Sequence, residues 1–186
     1  MTETTLTPVP GYVAGKWTID PVHSEVGFSV RHMMVSKVRG RFNDFSGEIV
    51  TAENPADSSV TAEISLASIS TGNEQRDNHI RSADFFEVET FPTMNYRSTG
   101  VTVGDGEFTV EGELTLKGAT RSVPLQLELN GFGPDAFGGT RAGFTATTEI
   151  NRRDFNVNFS APMEGGGVVV ADKVTIHLEI EAVLAS

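Results

Sequence analysis

Four histidines carry the chain's most evident chemical capacity, and their spacing argues against a shared metal. His23 and His32 stand nine residues apart, an odd separation that puts them on opposite faces of a regular strand. His23 sits with Asp20 and Ser24 in a segment that reads as a turn and strand-start network. His177 falls on the polar face of the last alternating segment, where water is its expected partner. His79 differs, because it lies in a short polar stretch with Arg76 and Arg81. There imidazole and guanidinium groups can present hydrogen-bond donors side by side, and Arg76 with Arg81 is the best basic pair for an anion. The plainer alternative is helix-surface pairing, Asp77 with Arg81 four residues on. The chain has no cysteine, which excludes disulfides, thiol nucleophiles and iron–sulfur clusters. The G-x-S-x-G, H-E-x-x-H, P-loop and EF-hand signatures are absent, and Gly165-Gly166-Gly167 reads as a turn. No catalytic residue and no metal ligand is assigned.

What must position the polar groups is a set of alternating strands. In His23–His32, Val26, Phe28, Val30 and His32 share one face; in Ser58–Ser68, Val60, Ala62, Ile64 and Leu66 do so. Glu107–Lys117, Arg121–Leu129, Arg141–Ile150 and Lys173–Leu184 repeat the period of two. Asp105-Gly106 signals a hairpin turn, and Glu53–Asp57, Gly118 and Gly133–Gly139 supply further turns. About eight such strands at short spacing predict a mainly β, antiparallel barrel or sandwich. One segment departs: Thr71-Gly72-Asn73-Glu74 has capping-box spacing, and Gln75–Arg81 then reads as a short helical insert near one barrel mouth.

Inward parity alternates large with small residues, Phe28, Phe42, Phe108 and Phe144 against Ala62, Gly112, Ala142 and Ala146. Large side chains fill a bore of this size, and small ones leave space in it. The expected apolar lining is Phe28, Val30, Phe42, Ile64, Leu66, Phe85, Phe86, Met94, Tyr96, Phe108, Leu114, Phe144, Ile176 and Leu178. The expected polar mouth is His32, Arg76, His79 and Arg81.

The 186 residues suit one domain, with 1–15 read as a flexible tail and 16–186 as the barrel. Residues 1–15 lack a basic and an apolar signal region, so a cytoplasmic location is expected. Acids exceed bases by 25 to 14, a net charge of −11 that disfavours nucleic acid and a polybasic membrane anchor. Stable membrane insertion is not expected either, since no apolar run approaches the roughly 18 residues of a span.

Trp17-Thr18-Ile19-Asp20-Pro21-Val22-His23-Ser24, Gly40-Arg41-Phe42, Arg76-Asp77-Asn78-His79-Ile80-Arg81-Ser82, Phe91-Pro92, Gly112-Glu113-Leu114-Thr115-Leu116-Lys117-Gly118 and Asn151-Arg152-Arg153-Asp154-Phe155 occur in order. Together they resemble the YceI-like family across roughly Lys16 to Leu184. The resemblance implies an extended, lipocalin-like antiparallel barrel with a helix near one end. It also implies a polyisoprenoid, isoprenoid quinone or related long-chain lipid held inside, no required cofactor, and a possible homodimer. Asn156 stands where relatives often carry glycine, so that turn is expected to differ locally. The implied function is a non-catalytic carrier or store. The alternatives are a stress-related scaffold with a solid barrel, and an enzyme that uses Asp20, His23, Arg76, Asp77 and His79 on a bound lipid.

Overall fold

The computed structural model describes residues 11–33, 35–104, 107–159 and 170–185. The alternating segments become twelve strands: β1 (Gly15–Ile19), β2 (Glu25–His32), β3 (Ser36–Phe42), β4 (Phe45–Thr51), β5 (Ser59–Ser65), β6 (Ile69–Ser70), β7 (Thr93–Val103), β8 (Glu107–Leu116), β9 (Ala119–Ser122), β10 (Leu125–Pro134), β11 (Thr140–Asn151) and β12 (Val170–Leu184). The helix α1 (Glu74–Arg81) lies between β6 and β7. The turn at Asp105-Gly106 and the glycines 165–167 lie outside the described residues.

The strands form eight long ribbons, because four ribbons are broken once. β1 pairs β4 while β2 pairs β3, so β1–β2 and β3–β4 are two bent neighbours. β8 pairs β9 at Glu113↔Ser122 and β10 at Val110↔Leu125, so β9–β10 is another. The fourth, β5–β6, pairs β4 through β5 and β3 through β6. β12 accepts β1 at Trp17↔Leu184 and β2 at Phe28↔Ile176, which closes the ring. Among the described residues the result is a closed, eight-ribbon antiparallel barrel with one short helix. Three of the four breaks have a local cause. Pro21 and Pro124 lack an N–H for the ladder, and Leu66–Ser68 turns as a 3-10 helix.

Inward alternation holds along β8, where Phe108, Val110, Leu114 and Leu116 are all buried. Gly112 on that face is small for a specific reason. A methyl built there meets the Tyr96 ring and hydroxyl and lies 2.9 Å from the Arg97 carbonyl oxygen. Tyr96 Oη donates to the Val123 carbonyl at 2.8 Å, and burial pushes its phenol pKa up. Gly112→Ala is therefore expected to displace that bond and cost about 1–3 kcal/mol. Thermal unfolding checks this, with unchanged stability refuting the packing. Trp17 is fully buried against Ala142, Phe144 and Ala182, and its Nε1 donates to Thr51 Oγ1 at 2.8 Å.

The helix start corrects the capping-box reading. Asn73 is the N-cap, accepting from the Arg76 amide at 2.9 Å. Thr71 is instead bound through its amide and hydroxyl to the buried Asp77 carboxylate. Asp77 therefore does not pair with Arg81, whose guanidinium donates to Ala67 O, Ile69 O and Asn78 Oδ1, each at 2.9 Å. Asn156 adopts a φ of 62°, the left-handed conformation that asparagine tolerates, so the turn keeps a glycine-like backbone. Its Nδ2 also donates to the Lys117 carbonyl at 3.1 Å. The described end of the 1–15 segment lies on the barrel: Tyr12 packs edge-on against Phe132, and β1 begins at Gly15.

Candidate lipid-binding site

The barrel interior holds two apolar chambers. The upper has a cavity volume of about 200 Å³ and the lower about 260 Å³. They share Val26, Met94, Leu114 and Ile176, which form a waist between them. Together they fall within the roughly 300–1,000 Å³ of ordinary ligand sites. The upper chamber has no charged lining residue among those described; Tyr12, Thr51 and Phe132 sit at one side. The lower chamber lies against α1 and includes Arg31, His32, Arg76, His79 and Arg152, with no carboxylate among its described lining residues.

Of the residues expected to line the cavity, Ile64, Tyr96, Phe108, Phe144 and Leu178 face the upper chamber. Phe28, Val30, Phe42, Phe85 and Phe86 face the lower one, with His32, Arg76 and His79. Met94, Leu114 and Ile176 belong to the waist. Two residues lie outside both linings. β5 ends at Ser65, so Leu66 leaves the strand parity and is fully buried in the 3-10 turn. Arg81 is turned away to the carbonyls of residues 67 and 69.

The polar groups of the lower chamber are held by short contacts. Arg76 donates through Nε to Thr71 Oγ1 and through Nη2 to Thr71 O, both at 2.7 Å. His79 donates to Asp84 Oδ2 at 2.8 Å and meets Phe85 and Phe159 edge-on at 5.1 and 4.9 Å. Sequence reasoning gave no role to Arg152, although it lies in a quoted motif. It is 4% exposed and donates to the carbonyls of Ala171, Val157 and Val170 at 3.0, 2.8 and 3.3 Å. Burial pulls its guanidinium pKa down, while Asp172 at 3.4 Å opposes that shift.

A second polar cluster lies outside the chambers. Asp20 Oδ2 accepts from His23 Nδ1 at 2.7 Å and Arg141 Nη1 at 2.8 Å, and Arg141 also reaches Glu181 and Asp135. Asp20, His23 and Glu181 are metal-ligand types at close range. The Arg141 guanidinium, however, already supplies the positive charge between both carboxylates. The cluster ties the bend between β1 and β2 to β11 and β12. His23 finds its partners here and His79 finds its own at Asp84, so the polar set considered for catalysis is not one site.

The His23 and Arg141 bonds hold the Asp20 carboxyl well below the ordinary carboxylate range. Its folded pKa lies below the unfolded one, so the unfolded chain binds more protons as the solution turns acid. This contribution to stability is complete above about pH 4 and is lost as pH falls further. Asp20→Asn is expected to flatten the acid limb of the stability profile below about pH 4. Denaturant titrations across pH check it, and an unchanged acid limb refutes it.

The YceI-like domain family matches residues 17–182. Protein YceI of Salmonella newport is 39% identical over 148 residues, covering 78% of each chain. The crystal structure of BcnA from Burkholderia cenocepacia superposes with a TM-score of 0.76 at 24% identity, covering 88% of this chain and 98% of that one. A polyisoprenoid binding domain from Saccharophagus degradans, implicated in plant cell wall breakdown, superposes with a TM-score of 0.67 at 17% identity, covering 93% and 100%.

Proposed function

Because this chain belongs to the YceI-like family, we propose that its barrel carries or stores one long-chain amphiphilic lipid, a polyisoprenoid, isoprenoid quinone or related molecule, without transforming it. The observation that carries the reading is the polarity of the interior. An uncharged upper chamber is joined through a waist to a lower chamber lined by Arg31, His32, Arg76, His79 and Arg152. A tail running through the waist leaves its head group beside the arginines and imidazoles. The Saccharophagus neighbour, named for polyisoprenoid binding, supports the choice of ligand class.

Affinity in such a site comes mainly from the tail. Each buried methylene contributes about 0.8 kcal/mol, so ten give roughly 8 kcal/mol before the chain is immobilised. Chain length is then selected more sharply than head group. The solid-scaffold alternative needs a filled bore, which the two chambers do not offer. Titration with isoprenoid quinones of increasing tail length tests the proposal. Affinity is expected to rise with each added unit until both chambers are full, and Phe108→Trp is expected to end that rise at a shorter tail. Affinity independent of tail length would refute it.

A further inference from the structure

The whole-chain charge of −11 conceals one segment of opposite character. Residues 26–43 contain Arg31, Lys37, Arg39, Arg41 and His32 and no acid. The β2–β3 register pairs Arg31↔Lys37, Ser29↔Arg39 and Gly27↔Arg41, while Val30↔Val38 and Val26↔Phe42 form the alternate, chamber-facing rows. The register therefore places all four cations in the outer row of one hairpin, with Arg31 also at the rim of the lower chamber. Like charges directly opposite each other, as Arg31 and Lys37 are, destabilise a sheet.

Their partners are equally distinctive. Among the described residues, every other Lys and Arg is bound to a protein acceptor. Lys16, Arg97, Arg141, Arg152, Arg153 and Lys173 meet carboxylates. Arg76, Arg81, Lys117 and Arg121 meet hydroxyl or carbonyl oxygens. Arg31, Lys37, Arg39 and Arg41 have no such side-chain acceptor among those residues. The hairpin tip is also apolar, with Val35 85% and Met33 44% exposed. The lower chamber begins immediately beyond it, at His32 and Val30.

We propose that the β2–β3 hairpin is a docking surface for an anionic lipid bilayer, its basic face meeting the head groups and Met33 and Val35 entering the interfacial layer. Unpaired cations gain from an anionic surface within a Debye length, and exposed aliphatic side chains gain from the interface. The rest of the surface, being acidic, is repelled, so the hairpin also sets the orientation. That orientation brings the lower chamber toward the bilayer. The attachment is peripheral and reversible, consistent with the absence of any helix long and apolar enough to cross a membrane among the described residues.

Vesicle co-flotation tests the docking separately from cavity binding. The full chain is expected to float with vesicles containing phosphatidylglycerol, to remain free of pure phosphatidylcholine vesicles, and to be released as ionic strength rises. Each neutralised cation is expected to weaken partitioning about fivefold, so Lys37→Gln with Arg39→Gln together give more than tenfold. Val35→Ser is expected to weaken it severalfold, and Lys16→Gln, beside the Leu184 end of β12 and far from the tip, not at all. Phe108→Trp is expected to dock as the parent does, because docking does not depend on a filled cavity. Failure of the parent chain to float with anionic vesicles overturns the proposal. So does equal flotation of the hairpin variants, or an equal affinity for a single-stranded oligonucleotide that Val35→Ser leaves unchanged.

Discussion

Met94→Trp is expected to weaken binding of a long isoprenoid or acyl ligand by about a thousandfold while leaving short ligands nearly unaffected. Met94 stands at the waist with Val26, Leu114 and Ile176, and it pairs across the sheet with Ile64. Its flexible thioether yields to a passing chain, and an indole there does not. A tail confined to one chamber loses about five buried methylenes, or roughly 4 kcal/mol, which is about three orders of magnitude. A ligand short enough for one chamber loses none of these. Met94→Ala separates obstruction from damage, because it leaves the passage open. Calorimetric titration of a homologous series measures both variants. Equal weakening of short and long ligands means the fold was damaged, and no weakening of either means the tail does not cross the waist.

Arg152→Met is expected to be the most destabilising single change in the lower half of the barrel. The guanidinium serves three main-chain carbonyls and Asp172 at once, and it joins the 3-10 turn Arg152–Phe155 to the start of β12. Removing one partner of a buried charged network costs about 3–5 kcal/mol, because the remaining groups stay desolvated. For a chain of this length that lowers the unfolding midpoint by roughly 10 °C or more. Arg152→Lys is expected to recover little, since one ammonium cannot reach three carbonyls in fixed directions. A midpoint shift of only a degree or two would mean that water already serves those carbonyls.

Much of this architecture is legible from the period of two. Phe108, Leu114, Phe144, Ile176 and Leu178 face the interior because alternation survives along β8, β11 and β12. Alternation misleads where a ribbon breaks. Leu66 follows Ile64 by two residues, yet it belongs to a 3-10 turn whose amide donates to the Pro92 carbonyl at 3.0 Å. Short-range pairing rules mislead in the same way on α1. Asp77 and Arg81 are four residues apart, but Thr71 and the carbonyls before the helix, brought in by β6, take both side chains. Arg152 acquires its role only when residues 157, 170 and 171 converge on it, which spacing along the chain does not announce. Net charge has the opposite weakness. Averaged over the chain it excludes anionic surfaces, whereas residues 26–43 taken alone invite one.

The central claim, that the barrel interior is a lipid site, is tested most directly by what the purified protein carries. Organic-solvent extraction followed by mass spectrometry is expected to release one long-chain isoprenoid or quinone per chain, and much less from the Phe108→Trp protein prepared in parallel. An extract free of lipid, together with no uptake when the protein is titrated with long-chain isoprenoids, would contradict the account.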